Sequence, residues 1–360
     1  MKLLLYLYEN MSGLKINFTK SEVILISQDE QKALQYSNLF NCAVGTWPIK
    51  YLGVPVSSSR IRVKEWLPLD EKMLKRLDGW KGGALSMGGR LTLLNSSLSS
   101  IPTYSMSKYM LPKTVIKRMD RTRKQFFWQG GALKKKYHLV KWTKLCVPKS
   151  KGGLGVVNLR KMNIRLLCRW WWKLEKEEGL WQTIVRQKYL KGKCVSQLGV
   201  RSFNSPVWND LLKVKEVYMK NRLMVLGNGE MIDFWNDAWC GITPLKEVFP
   251  ELFDLCNEQK ILVAEVAKKS WRLSFRRWLD EHLQNQLRRL YDLLSPFSVS
   301  VARDTPKWVK GEKGLFSVKT TYNSLCPQGL GTNMNHIWKA KIPLKIKIFM
   351  WLICNNAILT

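Results

Sequence analysis

Thirty-three surplus positive charges constrain this chain more than any other feature of its sequence. Sixty Lys and Arg stand against 27 Asp and Glu, and the pI is near 10.0. A surface of that charge repels itself, so a compact fold calls for a polyanion, with nucleic acid ahead of an acidic membrane face. A core is nevertheless available: 46 % of the 360 residues are hydrophobic and 17 are Trp, which excludes compositional disorder. The length suits two or three domains.

A membrane partner is the weaker reading. No window reaches the ~18 uninterrupted apolar residues of a span. The apolar run inside Met1 to Tyr8 ends at Glu9, too short for the core of a signal peptide. The expectation is an intracellular protein, nuclear or cytoplasmic, that is not secreted. Cysteines at 42, 146, 168, 194, 240, 256, 326 and 354 form no C-x-x-C pair, and the histidines at 138, 282 and 336 are scattered. That pattern is neither a disulfide framework nor a complete zinc site; it predicts reduced, mostly buried thiols.

The pattern of elements predicts an α+β fold that is mostly helical. A helix end turns at Ser12-Gly13, where Gly suits the C′ position, and Glu22 to Ser27 reads as a strand. A second short strand surrounds Tyr51 to Val56, where Pro55 argues for an edge. Helical spacing begins near residue 62 with Trp66, Leu69, Met73, Leu74 and Leu77, and continues with Leu91, Leu94 and Leu98. A helix from Pro112 carries Val115, Ile116, Met119, Phe126 and Phe127 on one side. Lys113, Lys117, Arg118, Arg121, Arg123 and Lys124 occupy the other. Helix returns around 158–189 with a Trp cluster and near 271–294, and 295–314 reads as a linker.

Between Pro112 and Lys151 there are thirteen Lys and Arg and one acid, Asp120, a net +12. Lys134, Lys135 and Lys136 lie inside this stretch, among Phe126, Phe127, Trp128, Tyr137 and Trp142. Cations of one sign at this density suit a groove that tracks a phosphate backbone. The aromatics are spaced like a packed face, which favours core over stacking platform. Arg90, after Met87-Gly-Gly89 at a helix start, is a candidate phosphate contact beside exposed amides, weighed equally against a surface Arg on a turn. Gly227-Asn-Gly229 matches no phosphate-binding fingerprint and reads as a tight turn. Asp233 and Asp237, four apart, read as a structural turn before a metal pair. No arrangement of nucleophile and base is present.

Taken in order, several stretches resemble the reverse transcriptases of plant LINE-type, non-LTR retrotransposons. Ser12-Gly-Leu-Lys-Ile-Asn17 with Lys20-Ser21 resembles the segment after their metal-binding aspartates, and Tyr51-Leu-Gly-Val-Pro55 their primer-grip strand. Gly79-Trp80, Gly88-Gly-Arg-Leu91, Ile101-Pro102, Tyr104 and Phe127-Trp128 match the thumb. Gly152-Gly-Leu-Gly155, Gly227-Asn-Gly229 and Phe234-Trp-Asn-Asp-Ala-Trp239 resemble the connector of plant members. Phe316-Ser-Val-Lys319, Tyr322, Ile337-Trp-Lys339, Pro343, Lys345, Phe349 and Trp351 resemble the start of a zinc-binding module.

The resemblance implies a palm remnant over 1–60, a basic helical thumb over 61–150, a Trp-rich connector over 151–295, and a linker with the first part of the zinc module over 296–360. It implies that Tyr51, Leu52 and Gly53 abut a primer end, and that a lysine of the Lys15 to Lys20 segment lies near an incoming nucleotide. The basic helix would run along a template–primer duplex. The family's activity is RNA-directed DNA polymerisation, with magnesium held by aspartates and zinc by a Cys/His set. Those aspartates fall before Ser12 and those ligands after Trp351, so the expectation is no catalysis and no bound magnesium or zinc here. RNA or RNA–DNA hybrid is the expected partner, with an upstream reverse-transcriptase fragment in trans as a further one. The alternatives are a host-retained basic RNA-binding protein and a translated relic.

Overall fold

Gly13 ends the first helix, Lys2–Ser12, in the left-handed conformation (φ 69°), and its N–H returns to Glu9 O at 2.9 Å. The computed structural model that shows this describes residues 1–26, 29–80, 84–130, 137–201, 204–326 and 334–358. The chain is 53 % helical with few short strands, an α+β fold dominated by helix. It divides into two units, Met1–Asp70 and Glu71–Thr360.

In the first unit, helix Glu30–Phe40 starts on Asp29, whose carboxylate accepts from Lys32 N at 3.1 Å. Of the strand expected over 22–27, Ser27 lies outside the described residues, and the described part pairs through Glu22 and Val23, in parallel with Ala43 and Val44. Its partner strand is itself two residues long, so the ladder stops there. The second predicted strand is a hairpin, Ile49–Tyr51 against Val54–Val56. Leu52 and Gly53 both have positive φ, 47° and 80°, the backbone a two-residue turn between twisted strands demands. Pro55 sits opposite Lys50, where an antiparallel pair closed at Tyr51 and Val54 asks for no N–H.

Only Ala33, Val54 and Trp66 are buried apolar side chains among the described residues of this unit, while Leu3, Leu4, Met11 and Ile26 are exposed. So little buried apolar surface cannot offset the entropy of ordering the chain. Native-state hydrogen exchange is therefore expected to find the amides of residues 1–60 the least protected. Protection of Val23–Ile26 equal to that of the helix over 159–176 would contradict this.

The second unit is organised around helix Leu159–Lys176, capped by Asn158, which accepts from Lys161 N at 3.0 Å. Its Leu167, Cys168, Trp171, Trp172 and Leu174 pack with Trp208, Leu211, Tyr218 and Trp308. Trp208 stacks on Tyr189 at 4.3 Å and leans on Trp171 at 5.1 Å. A second core gathers Phe234, Trp235, Trp239, Leu252, Val263 and Val266. Leu283, Leu290 and Leu294 reach it from helix Glu281–Leu294, at the spacing of one helical stripe.

The stretch 295–314, expected as a linker, is structural. Thr305–Trp308 is a strand antiparallel to Arg222–Val225, and Trp308 is buried in the first core. Just before it, the buried Asp304 carboxylate accepts from Gly227 N, Gly229 N and Met231 N at 2.7, 2.9 and 2.8 Å. The tight turn read at Gly227-Asn-Gly229 is thus an amide cradle filled by the chain's own anion.

Between the two cores lies an ion triad. Arg222 pairs with Glu175 and Asp237, all three essentially inaccessible, and Tyr218 Oη donates to Glu175 at 2.5 Å. Burial holds the Glu175 carboxyl above its ordinary pKa against the pull of Arg222 and Tyr218. The neighbouring Asp233 carboxylate accepts from Trp235 N (3.2 Å), Asn236 N (2.8 Å), Asn236 Nδ2 (2.9 Å) and Gln197 Nε2 (2.8 Å). Asp237 also accepts from Asp233 N at 2.8 Å and Ser196 Oγ at 3.1 Å. Asp233 and Asp237 thus close the turn and also tie it to Gln197, Ser196 and Arg222.

Cys146, Cys168, Cys194, Cys256 and Cys326 are buried, and Cys354 is exposed. Burial pushes the Cys146 and Cys168 thiols up to about 12, where almost no thiolate forms at neutral pH. Titration with a disulfide reagent is expected to modify Cys354 quickly, and Cys146 and Cys168 only on unfolding. Fast modification of either buried thiol in the native protein would refute this placement.

Candidate nucleic-acid interface

The dense basic stretch folds as helix Lys113–Gln129, closed by Gly130 at φ 66° with its N–H on Phe126 O. Val115, Ile116, Met119, Phe126, Phe127 and Trp128 are buried along it, so these aromatics are core, as their spacing predicts. Trp80 meets Phe126 at 5.3 Å. The segment leading into the helix is fixed by the buried Asn163. Its side chain accepts from Leu111 N at 2.8 Å and donates to Met106 O and Tyr109 O, each at 2.7 Å.

With the inner face locked, the outer one carries the charge. Lys113, Lys117 and Arg121 are exposed and Lys124 is half-buried. At about 100° per residue these four fall within roughly 80° of arc. None of the four has a carboxylate within ion-pair distance among the described residues. The acid of this stretch, Asp120, is taken by Arg123 at 2.6 Å. Trp142 adds an aromatic face beside the stripe, 5.8 Å from Lys124 Nζ, and Tyr137 is 84 % exposed. Arg118 is half-buried. Lys134, Lys135 and Lys136 lie outside the described residues.

Two predicted contacts turn inward. Arg123 is fully buried and donates to Ser99 Oγ at 2.8 Å and Val157 O at 2.7 Å as well as to Asp120. It clamps the basic helix to its neighbours and offers nothing to a phosphate. Arg90, also buried, donates to Leu85 O at 3.1 Å and to Phe127 O at 3.3 Å, near the C-terminal end of the basic helix, where carbonyls lack partners. Gly88 before it serves packing: a Cβ there would stand 3.1 Å from Lys345 N. The Met87-Gly-Gly-Arg90 motif is therefore a helix junction and not an anion site.

Lys15 and Lys20 are exposed in the first unit, Lys20 in a turn whose N–H bonds Asn17 Oδ1 at 3.1 Å. Tyr51, Leu52 and Gly53 form the exposed tip of the hairpin.

The described residues of 316–360 include helices Val318–Ser324, Asn335–Lys339 and Leu344–Ile353, which pack within the second unit. Trp351, fully buried, donates to Gly152 O at 2.9 Å, and Tyr322 Oη accepts from Asn158 N at 2.8 Å. Lys149 Nζ lies 5.0 Å from the Trp338 ring. The glycines of Gly152-Gly-Leu-Gly155 permit this: a Cβ on Gly153 would sit 2.0 Å from Val147 O.

These same residues, 316–360, match the family described as zinc-binding in reverse transcriptase. They offer Cys326, His336 and Cys354, short of a tetrahedral set, and no three metal-ligating side chains converge among the described residues. The residues present do not fit zinc. The chain is 32 % identical over 320 residues to an Arabidopsis thaliana protein named "Putative ribonuclease H protein", covering 85 % of this chain and 51 % of that one. It is 27 % identical over 142 residues to an Arabidopsis thaliana protein named "Uncharacterized mitochondrial protein", covering 39 % of this chain and 92 % of the other. The chain spans about half the length of the first relative. Residues 316–360 thus match a reverse-transcriptase zinc-binding region, and the chain is similar to the first of these relatives along most of its own length.

Proposed function

We propose that this chain is part of a LINE-type retroelement reverse transcriptase and that it grips nucleic acid, RNA or RNA–DNA hybrid, by its phosphates. The grip is the outer stripe of the basic helix: Lys113, Lys117, Arg121 and Lys124. The observation that carries this reading is the pairing pattern. The one acid of the stretch is consumed by a buried arginine, and the four outward cations have no carboxylate partner among the described residues, on a helix whose other face is fixed. Cations held at helical spacing along a rigid rod meet successive phosphates without being ordered at the moment of binding.

In this proposal the residues of the chain supply binding, and the metal-dependent polymerase chemistry of the family is supplied by other residues. Lys15, Lys20 and the Tyr51-Leu-Gly53 tip would act only beside that catalytic half, delivered in trans or by the same polypeptide. The test is binding to a short RNA–DNA hybrid across a salt series, beside heparin at equal charge. The reading expects hybrid to be preferred and the log–log slope to report about four or more phosphates. Equal affinity for both polyanions would sink it.

A further inference from the structure

Of the 17 tryptophans, nine are buried and the next most exposed, Trp47, shows 37 % of its surface; Trp278 shows 98 %. An indole ring left wholly in water forfeits the burial that makes tryptophan useful in a fold, and its π-face stays open to a partner. Its ring makes no aromatic contact and its N–H no hydrogen bond among the described residues.

The ring is exposed from an anchored position. Three residues earlier, Phe275 forms a β-bridge with Cys256 and packs on the second core. Arg276 N donates to Leu255 O at 3.0 Å, and Asn257 N to Ser274 O at 3.0 Å. On the other side, Leu279 packs on the same core, and Asp280 caps helix Glu281–Leu294 by accepting from Leu283 N at 2.8 Å. Arg277 and Trp278 thus form a two-residue projection pinned at both ends. Arg272, Arg276 and Arg277 are exposed, with no ion-pair partner among the described residues. The segment from Lys268 to Leu279 has five cations and no acid.

We infer that Trp278, with Arg276 and Arg277, is a stacking platform for an unpaired base of a single-stranded polynucleotide. The ring supplies a π-face that accepts any base, and the guanidiniums hold the flanking phosphates. Pinning both ends of the projection removes the ordering cost that a free loop pays on binding. The guanidiniums favour nucleic acid over a purely apolar protein or lipid contact. This site lies outside the basic helix and does not depend on the reading of that helix.

The test uses the full chain and three labelled strands of about 12 nucleotides: an oligo-U RNA, an oligo-dT DNA and an abasic strand with the same phosphates. W278A is expected to bind the base-bearing strands roughly 5- to 100-fold more weakly, the range that stacking supplies, and the abasic strand unchanged. W278F should recover most of the loss, and R276Q/R277Q should weaken all three strands alike. Loss on both RNA and DNA assigns the platform to bases in general; loss on RNA alone assigns it to RNA. Because the ring is solvent-exposed, thermal melting of W278A should match the parent. Unchanged affinity of W278A for base-bearing strands would overturn the inference, as would an equal loss on the abasic strand. Loss of self-association or vesicle binding with oligonucleotide affinity intact would also overturn it. The same strands with K113Q/K117Q/R121Q/K124Q separate the two sites, since that variant changes the salt slope and not the preference for bases.

Discussion

Arg222→Met is expected to lower the unfolding free energy by about 3–5 kcal/mol, enough to leave the second unit marginal or unfolded at room temperature. The side chain removed is the only cation paired with Glu175 and Asp237 among the described residues, and both carboxylates are shut away from water. Without it, two anions face each other across a core that cannot solvate them. The cost is that of stranded charge; the triad's net worth relative to apolar packing is a separate and smaller quantity. The pH dependence identifies the cause. In the variant the Glu175 carboxyl, already held above its ordinary pKa by burial, loses the opposing pull of Arg222 and rises further, so the folded state holds the extra proton. Stability then falls as pH rises through that window, and the deficit against the parent is full at neutral pH and narrows toward about pH 4. Urea denaturation at pH 7 and pH 4.5 measures this directly. A pH-independent deficit would mean that Arg222 matters for packing alone.

The second large effect is on binding. Neutralising Lys113, Lys117, Arg121 and Lys124 together should lower the log–log salt slope by about four, close to one per phosphate contact. Four contacts make the parent roughly a hundredfold more salt-sensitive between about 50 and 200 mM. The ratio of parent to variant affinity should therefore shrink by that factor over the same range. R123Q, which alters a buried clamp, is expected to destabilise the fold without changing the slope of whatever remains folded. A quadruple variant with the parental slope would move the grip elsewhere on the chain.

Much of this was legible in the residues. The basic helix announced itself through apolar positions 115, 116, 119, 126 and 127, and the cations at 113, 117, 121 and 124 fall opposite them. Side-chain type misled where position did not. Arg123 follows Met119 by four and precedes Phe127 by four, on the buried stripe; Arg90 precedes Leu94 by four and Leu98 by eight. Charge suggested surface, and periodicity, applied strictly, would have placed both inside. The strand Thr305–Trp308 gave no comparable signal, because its alternation lasts only four residues and contains Pro306, which argues against a strand. Its identity comes from a partner about 80 residues earlier, and such pairing is not encoded locally. Trp278 was hidden for a similar reason: a lone Trp between a Phe and a Leu reads as core until the fold shows which of the three faces out.

The strand at 305–308 has a consequence for how the protein is made. The first core, built on the helix over 159–176, needs Trp308, and the amide cradle at Gly227 to Met231 needs Asp304. A ribosome finishes the helix about 130 residues before it supplies these groups, a delay of roughly 7–25 seconds at ordinary elongation rates. During that interval the growing chain displays an unfinished tryptophan cluster and three unmatched amides. The middle of the molecule is completed from its far end.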